Sequence, residues 1–436
     1  MLKKLLSGAL VLLALTLGVA ATIVLPWVGI ALLVALLALW LAFTRTGRQM
    51  SSVTASGIST LPQRWGGASV VIVGIAGVVG VLVALLAMGQ GYEATFRATG
   101  SEQRAIVLRG GALTEASSNL TQQSVMLIGQ LPQVARNAQG QPLTSGEVVV
   151  SVSLPKRGGQ AGTAQIRGVG PEVWAVRDHA KIIAGRRFRS GMRELIVGKN
   201  ALREFAHTSV GSRITINGQP WKIVGEFAHA GAHDSELWGD VNVVGTAFQR
   251  GSSVQSVTVR LSDAKAFAAF KAALASDPRL KVQTQTTKAY YADQSKGMTH
   301  VIGILAAVVA GIMAIGAVAG ALNSMYAAVA ARAREVATLR AIGFRAAVVV
   351  FSILAETVLL ALAGGAVGGL IAWVLFRHFT ASTLGPNFGA VIFQFRITPA
   401  LIGKGLKWAL VIGFVGGLFP ALRAARMPVT DGLREL

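Results

Sequence analysis

Between Lys4 and Arg45 the chain runs for forty residues without a charge, a stretch that lipid accommodates and a water-exposed surface does not. One membrane crossing takes about 20 apolar residues, so Leu5–Thr44 is long enough for two. Pro26 and Trp27 stand at its midpoint, a turn residue beside an interfacial aromatic. The expectation is a helical hairpin over 1–45, with spans near 5–25 and 27–44 and both ends in the cytoplasm. A cleaved signal peptide would also start with basic residues, but the second apolar run follows at once, which argues against cleavage.

Further apolar runs follow. A cytoplasmic linker at 46–67 is polar, rich in Ser, Thr and Gly. Trp65–Tyr92 then contains a third span, placed at 68–91, and Met298–Ala331 a fourth, at 298–330. Ala346–Phe376, broken only by Glu356, gives the fifth (346–378) and 401–422 the sixth, with a loop at 379–400 before it and a polar tail at 423–436. The fold class is therefore membrane α-helical, with about six transmembrane helices and a large α+β domain at 92–297 between the third and fourth.

Inside 92–297 the character changes. Glu147–Ser153, Arg213–Ile216, Trp221–Val224 and Val257–Leu261 read as strands, Lys199–Phe205 and Asp263–Leu274 as helices, and Asn217-Gly218 as a hairpin turn. Some 200 residues can bury a core of their own. Without a single cysteine, that core carries no disulfide.

Orientation follows from Lys and Arg at the span ends. With a hairpin at the N-terminus, the inner segments hold 12 basic residues and the short outer loops and flanks 4, which places 92–297 outside, in the periplasm. The formal charge of +22 does not point to nucleic acid: 25 of the 41 basic residues sit in 92–297 among 15 acids, and no groove-reading basic helix stands out.

Chemistry has few candidates. No Gly-x-x-x-x-Gly-Lys-Ser/Thr phosphate loop occurs, so ATP hydrolysis is not expected of these residues, and no catalytic, cofactor or metal site is expected. His229 and His233 lie near Asp234 and Glu236, but Gly231 and its small neighbours favour a polar surface loop over a metal site. Glu147, Glu172 and Asp178 fit no acid–base pattern. Gly185–Arg189 (GRRFR) reads as a solvated basic turn, with anionic lipid or a partner as the alternative. Glu356 is the one acid inside a span, expected near the inner interface beside an arginine. Gly364, Gly365, Gly368 and Gly369, with Gly413, Gly416 and Gly417, are helix-packing residues, with subunit association as a natural extension. The spans are nearly free of ionisable and amide side chains, apart from Asn323 and Glu356, so no polar pathway for a channel or proton-coupled carrier is visible.

Between the fourth and fifth spans lies Ala331–Phe344 (ARAREVATLRAIGF). Val336, Leu339, Ile342 and Phe344 recur at near-helical spacing beside Arg332, Arg334, Glu335 and Arg340, and Gly343 is placed to end the helix. This segment, the following AETVLLALAGGAVGGLIAW and the C-terminal GGLFPALRAARMPVTDGLREL resemble the FtsX-like, MacB-type permeases of ABC transporters, from about residue 60 onward.

The resemblance implies a permease that pairs with a second copy or a paralogue and with cytoplasmic ATPase subunits, which would supply ATP and Mg. It implies that 331–345 is the coupling helix, with Arg332, Arg334, Glu335, Leu339, Arg340 and Gly343 touching or orienting toward the ATPase. It also implies an inner-membrane location, mechanotransmission to a periplasmic domain of two subdomains (92–160 plus 252–297, and 161–251), and contact with a periplasmic adaptor. The N-terminal hairpin is extra to the family layout, for lipid or partner contacts. The alternative is a signalling scaffold of the same fold that switches on a periplasmic cell-wall hydrolase.

Overall fold

The structure, a computed structural model, describes residues 24–430. They divide into two compact units. One draws on the described residues within Met1–Ala87, Ile302–Arg377 and Ile397–Leu436, the other on Met88–Val301 and His378–Arg396.

The helices of the first unit, in chain order, are α1 (Trp27–Phe43), α2 (Arg45–Ser59), α3 (Trp65–Thr99), α4 (Thr287–Ala331), α5 (Ala333–Ala341), α6 (Ala346–Phe376) and α7 (Pro399–Arg426), of which α3 and α4 run on into the second. Among the described residues four helical stretches are long and apolar enough to cross a membrane: Leu61–Thr99, Thr287–Ala331, Ala346–Phe376 and Pro399–Arg426. α1 and α2, bent by 102° at Thr44, would make a fifth if counted as one span. Of the six expected spans, the one near 5–25 falls almost wholly outside the described residues.

The stretch expected as a polar linker at 46–67 is helical over α2. The Thr44 hydroxyl accepts the Gly47 N–H at 2.9 Å, an N-cap that starts a new helix where the apolar α1 ends. α2 lays Gly57 on α6: a Cβ there would come within 3.3 Å of Ser352 Oγ. None of the side chains of α1 is buried, and Leu32, Leu33, Leu36 and Trp40 stand exposed.

The glycines of α6 explain how the spans pack. A Cβ on Gly364 or Gly368 would meet the α3 backbone, 2.8 Å from Ile72 O and 2.3 Å from Ala76 O. One on Gly365 or Gly369 would meet α7, 2.8 Å from Ala409 Cβ and 3.1 Å from Ile402 Cγ2. From α7, a Cβ on Gly413 would lie 2.4 Å from Ala361 Cβ, on Gly417 2.1 Å from Thr357 Oγ1, and on Gly416 2.9 Å from Ala321 Cβ of α4. Adjacent glycine pairs on α6 thus let two neighbours approach to backbone contact, the device that packs helices where lipid supplies no hydrophobic drive. Since every one of them is occupied within the chain, they do not present the face for a second copy that the sequence suggests.

The second unit is built on one ten-stranded sheet. Its strands are β1 (Arg104–Arg109), β2 (Thr144–Pro155), β3 (Ala161–Val169), β4 (Lys181–Gly185), β5 (Glu194–Gly198), β6 (Arg213–Ile216), β7 (Gln219–Ala228), β8 (Glu236–Asp240), β9 (Ser256–Arg260) and β10 (Val282–Thr286). The order is β10-β1-β9-β2-β3-β8-β5-β7-β4, with β6 on β7. β2 joins the two halves: Thr144–Glu147 pairs with β9, Val148–Pro155 with β3. The subdomain boundary expected at 160/161 therefore runs through this strand, because a single twelve-residue strand serves both sheet halves. Asn217 (φ 49°) and Gly218 (φ 73°) turn β6 into β7 with the two positive φ angles of a type I′ hairpin. Trp221, Trp238, Phe205, Phe227 and Phe270 are fully buried.

The loop expected at 379–400 is instead mostly a hairpin, β11 (Thr380–Leu384) and β12 (Ala390–Gln394), and it belongs to this unit. The Ser235 hydroxyl accepts the Ile392 N–H at 2.9 Å, and the Ser151 hydroxyl donates to Asn387 O at 2.9 Å.

Candidate functional site

Two places carry organised charge. The first is α5. Arg332 closes α4 and precedes α5, and its guanidinium bridges two acids: Nε reaches Glu335 Oε2 at 3.0 Å, Nη1 reaches Glu356 Oε2 at 3.3 Å. Glu356, buried on α6, is thereby neutralised from the connecting segment, as a carboxylate in an apolar span requires. At the other end, Arg340 Nη1 donates to Met427 O at 2.6 Å, just past the end of α7. The helix stops in a Schellman motif. Gly343 has φ +101°, its N–H donates to Arg340 O at 3.2 Å, and the Phe344 N–H donates to Leu339 O at 3.1 Å.

This sorts the residues named from the sequence. Arg332, Leu339 and Arg340 are half-buried and face the unit, whereas Arg334, Glu335 and Gly343 are exposed. The buried face is Ala333, Val336 and Ala337, of which Val336 packs with Met325, Val329, Val349, Ile353 and Ala424. The apolar stripe read from the sequence splits: Val336 goes inward, while Ile342 is 69% exposed. Ile342 lies at the C-cap, where the backbone leaves helical geometry, so helical spacing no longer fixes its face.

The second place lies in the β unit. Glu115, Glu147 and Glu236 are buried around Arg167 of β3. Arg167 Nη1 lies 2.7 Å from Glu115 Oε1 and 2.8 Å from Glu147 Oε2, and Nε lies 2.8 Å from Glu236 Oε2. Arg177 pairs with the far side of Glu147. Uncharged donors complete the shell: Ser256 Oγ to Glu115 at 2.7 Å, Gln165 Nε2 and Trp238 Nε1 to Glu236 at 2.7 and 2.8 Å. Burial alone would raise the Glu147 carboxyl, but Arg177 and Arg167 overcome it and bring its pKa to about 2. Burial likewise works against the charged Glu236, which Arg167 and His233 hold well below the usual carboxylate range.

Glu115 also ties in elements beyond the sheet. Its N–H donates to Tyr290 Oη at 3.2 Å, at the start of α4, and its Oε2 accepts Asn387 Nδ2 at 3.1 Å from the hairpin.

His229 and His233 border this cluster and are buried, which corrects the expected surface loop. The loop turns inward because its polar groups find internal partners: the Ala232 N–H donates to Thr99 Oγ1 at 2.7 Å and the His229 N–H to Asp234 Oδ1 at 2.6 Å. The rings meet edge to face at 4.9 Å, and burial lowers both pKa values, well below the usual value for His229. Among the described residues no group of three or more His, Asp or Glu is arranged to hold a metal ion. The GRRFR turn is solvated, with Arg186 paired to Glu194 at 2.5 Å and Arg187 stacked on Trp174 at 4.3 Å.

Sequence reasoning passed over Arg167 and Glu147 as sites. No local signal marks them: strand alternation puts Arg167 on the face of Thr163 and Gln165, and Glu147 on the face of Ser145 and Ser151, a pattern that reads as solvent-facing.

The MacB-like periplasmic core domain matches residues 68–277, and the FtsX-like permease C-terminal domain matches 307–429. The chain is an FtsX/MacB-type permease. Its relatives include the macrolide export ATP-binding/permease protein MacB 1 of Aeromonas hydrophila, 26% identical over 313 residues, which covers 66% of this chain and 46% of that protein. The MacB protein of Shewanella sp. is 24% identical, over 65% of this chain and 45% of its own length. This permease thus spans about half the length of the curated relatives it matches. Among solved structures, the periplasmic region of MacB from Actinobacillus actinomycetemcomitans is 17% identical over 44% of this chain and 92% of its own, with a TM-score of 0.35. The permease C-terminal match takes in all of α5, α6 and α7, so the basic helix is part of the family domain.

Proposed function

We propose that this chain is the transmembrane subunit of an inner-membrane ABC transporter of the mechanotransmission type. A separate cytoplasmic ATPase, holding ATP and Mg, docks on α5 and drives movement of the β unit in the periplasm for export or extraction of a substrate. A second permease copy or a paralogue completes the membrane part, and a periplasmic adaptor is the expected outer partner.

The observation that carries this reading is the construction of α5. It is anchored at both ends by arginines, through Glu356 and Met427 O, while Arg334 and Glu335 face outward. A loop that merely oriented the protein would need the charges but neither anchor nor a Schellman stop. A helix held at both ends transmits a push as a rigid lever. At the other extreme, α4 is continuous from Thr287 to Ala331, and Tyr290 in its first turn holds Glu115 of the outer hub.

The test is co-purification of the full chain with the products of the neighbouring genes, followed by ATPase assays in lipid nanodiscs. Charge reversal at Arg334 should lower ATPase recovery several-fold while leaving expression and folding intact. Full recovery of the complex, with unchanged ATPase stimulation, would remove α5 as the docking site.

A further inference from the structure

The β unit contains an open cleft of about 590 Å³ that none of the above uses. One wall is the last turns of α3, where Gly91, Ala94, Thr95 and Ala98 form a single small-residue face. The opposite wall is Lys199, Asn200 and Arg203, and the end of β12 with Phe393 to Arg396 closes it. Gly91 makes this floor possible: a Cβ there would lie 2.1 Å from Gln394 O.

The charge in the cleft is lopsided. Lys199 Nζ sits 3.2 Å from Asp234 Oδ2, and that carboxylate is otherwise engaged with the His229 N–H. Arg203 and Arg396 are exposed and have no ion-pair partner among the described residues, so the cleft carries two uncompensated guanidinium groups. Ala230, which also lines it, holds φ +64°, a left-handed conformation that a non-glycine residue rarely adopts and that concentrates at functional sites.

Chain continuity sets the depth of the cleft. Arg396 stands three residues before Pro399, which opens the apolar α7, and Gly91–Ala98 continues α3 directly past its apolar run. Beside it Phe379 is 50% exposed and packs edge-on against Phe395 at 5.3 Å. Two arginines, an apolar rim and a position at the ends of two spans are the chemistry of a phosphate that belongs to a membrane lipid.

We propose that this cleft binds the phosphate of an anionic phospholipid headgroup from the periplasmic leaflet, gripped by Arg203 and Arg396. Bound lipid then fixes the foot of the β unit to the membrane surface.

Native mass spectrometry of the detergent-solubilised full chain tests this, with phosphatidylglycerol, phosphatidylcholine and inorganic phosphate added in separate titrations. Phosphatidylglycerol should bind the wild type in preference to phosphatidylcholine, and Arg203→Gln/Arg396→Gln should weaken it on the order of tenfold, since each basic group near an anionic surface contributes appreciably. Arg213→Gln, an exposed arginine on β6 away from the cleft, should leave binding unchanged, and circular dichroism confirms that each variant is folded. Equal binding of the two lipids, or unaltered phosphatidylglycerol binding in the double variant, overturns the proposal. Displacement of the lipid by inorganic phosphate at equal concentration overturns the lipid as the source.

Discussion

Glu115 and Asn387 lie 272 residues apart in the chain and meet at 3.1 Å, the Asn387 side-chain amide donating to the buried carboxylate. Asn387 Oδ1 accepts the Ala116 N–H at 3.2 Å, so one side chain pins the 380–394 hairpin through two hydrogen bonds. Because Glu115 also holds Tyr290 and Arg167, the hairpin, the first turn of α4 and the sheet share one buried acid.

Asn387→Ala should therefore loosen the hairpin without unfolding the sheet. A hydrogen bond to a charged group contributes about 1.5–3 kcal/mol and a neutral one about 1. The expected outcome is faster hydrogen exchange at residues 380–394 by one to two orders of magnitude, with the amides of β2 and β3 unaffected. Uniform acceleration across the domain would mean the hairpin is not a separate unit of opening.

Arg167 faces three carboxylates, and removing it leaves them without their shared cation. Arg167→Met should cost about 3–5 kcal/mol, as breaking a buried pair from one side does. Arg186→Met, which breaks a pair with Glu194 from its exposed side, should cost far less. Thermal unfolding of the two variants in the same detergent ranks them, and equal midpoints would contradict the hub's role in stability.

Acid should destabilise the β unit in two stages. His229 and His233 have folded pKa values below their ordinary value, so the unfolded chain takes up protons first. Their contribution is complete above about pH 6.5 and is lost as pH falls through that value, with a slope near 1.4 kcal/mol per pH unit for each. Glu147, lowered to about 2, adds a second loss that begins as pH falls through the ordinary carboxylate range and runs down toward pH 2. Neither ring nitrogen of His229 has a partner among the described residues, so His229→Leu should flatten the slope between pH 7 and 5 and leave stability at pH 7.5 close to wild type. Denaturant midpoints measured across pH check both parts.

How much of this was legible in the sequence depended on whether the signal was local. The spans follow from uncharged length, the β6–β7 hairpin from Asn217-Gly218, and the end of α5 from Gly343, because each is fixed by a few adjacent residues. The hub was not legible, since Glu115, Glu147, Arg167, Glu236 and Asn387 come together only through sheet order. The histidine pair was misread for the same reason: small and polar neighbours indicate a loop, but whether a loop is wet or buried depends on distant partners such as Thr99. The hairpin at 380–394 lies between two apolar spans, where the sequence marks a break between spans but not the strands on either side of the turn.

The Arg332–Glu356 pair gives the most direct handle on α5. Glu356 is buried on α6 and Arg332 half-buried at the start of the basic helix, at 3.3 Å. Arg332→Gln should strand the carboxylate in apolar surroundings without its cation, which is strongly destabilising. Glu356→Gln removes the acid but leaves Arg332 its contact with Glu335 at 3.0 Å, so the arginine keeps a partner. The asymmetry is the prediction: Arg332→Gln should lower the unfolding midpoint more than Glu356→Gln, and the double variant, which no longer strands a carboxylate, should be more stable than Arg332→Gln alone. Strictly additive losses in that cycle would show that the two side chains act independently, and that α5 is not tied to α6 through this pair.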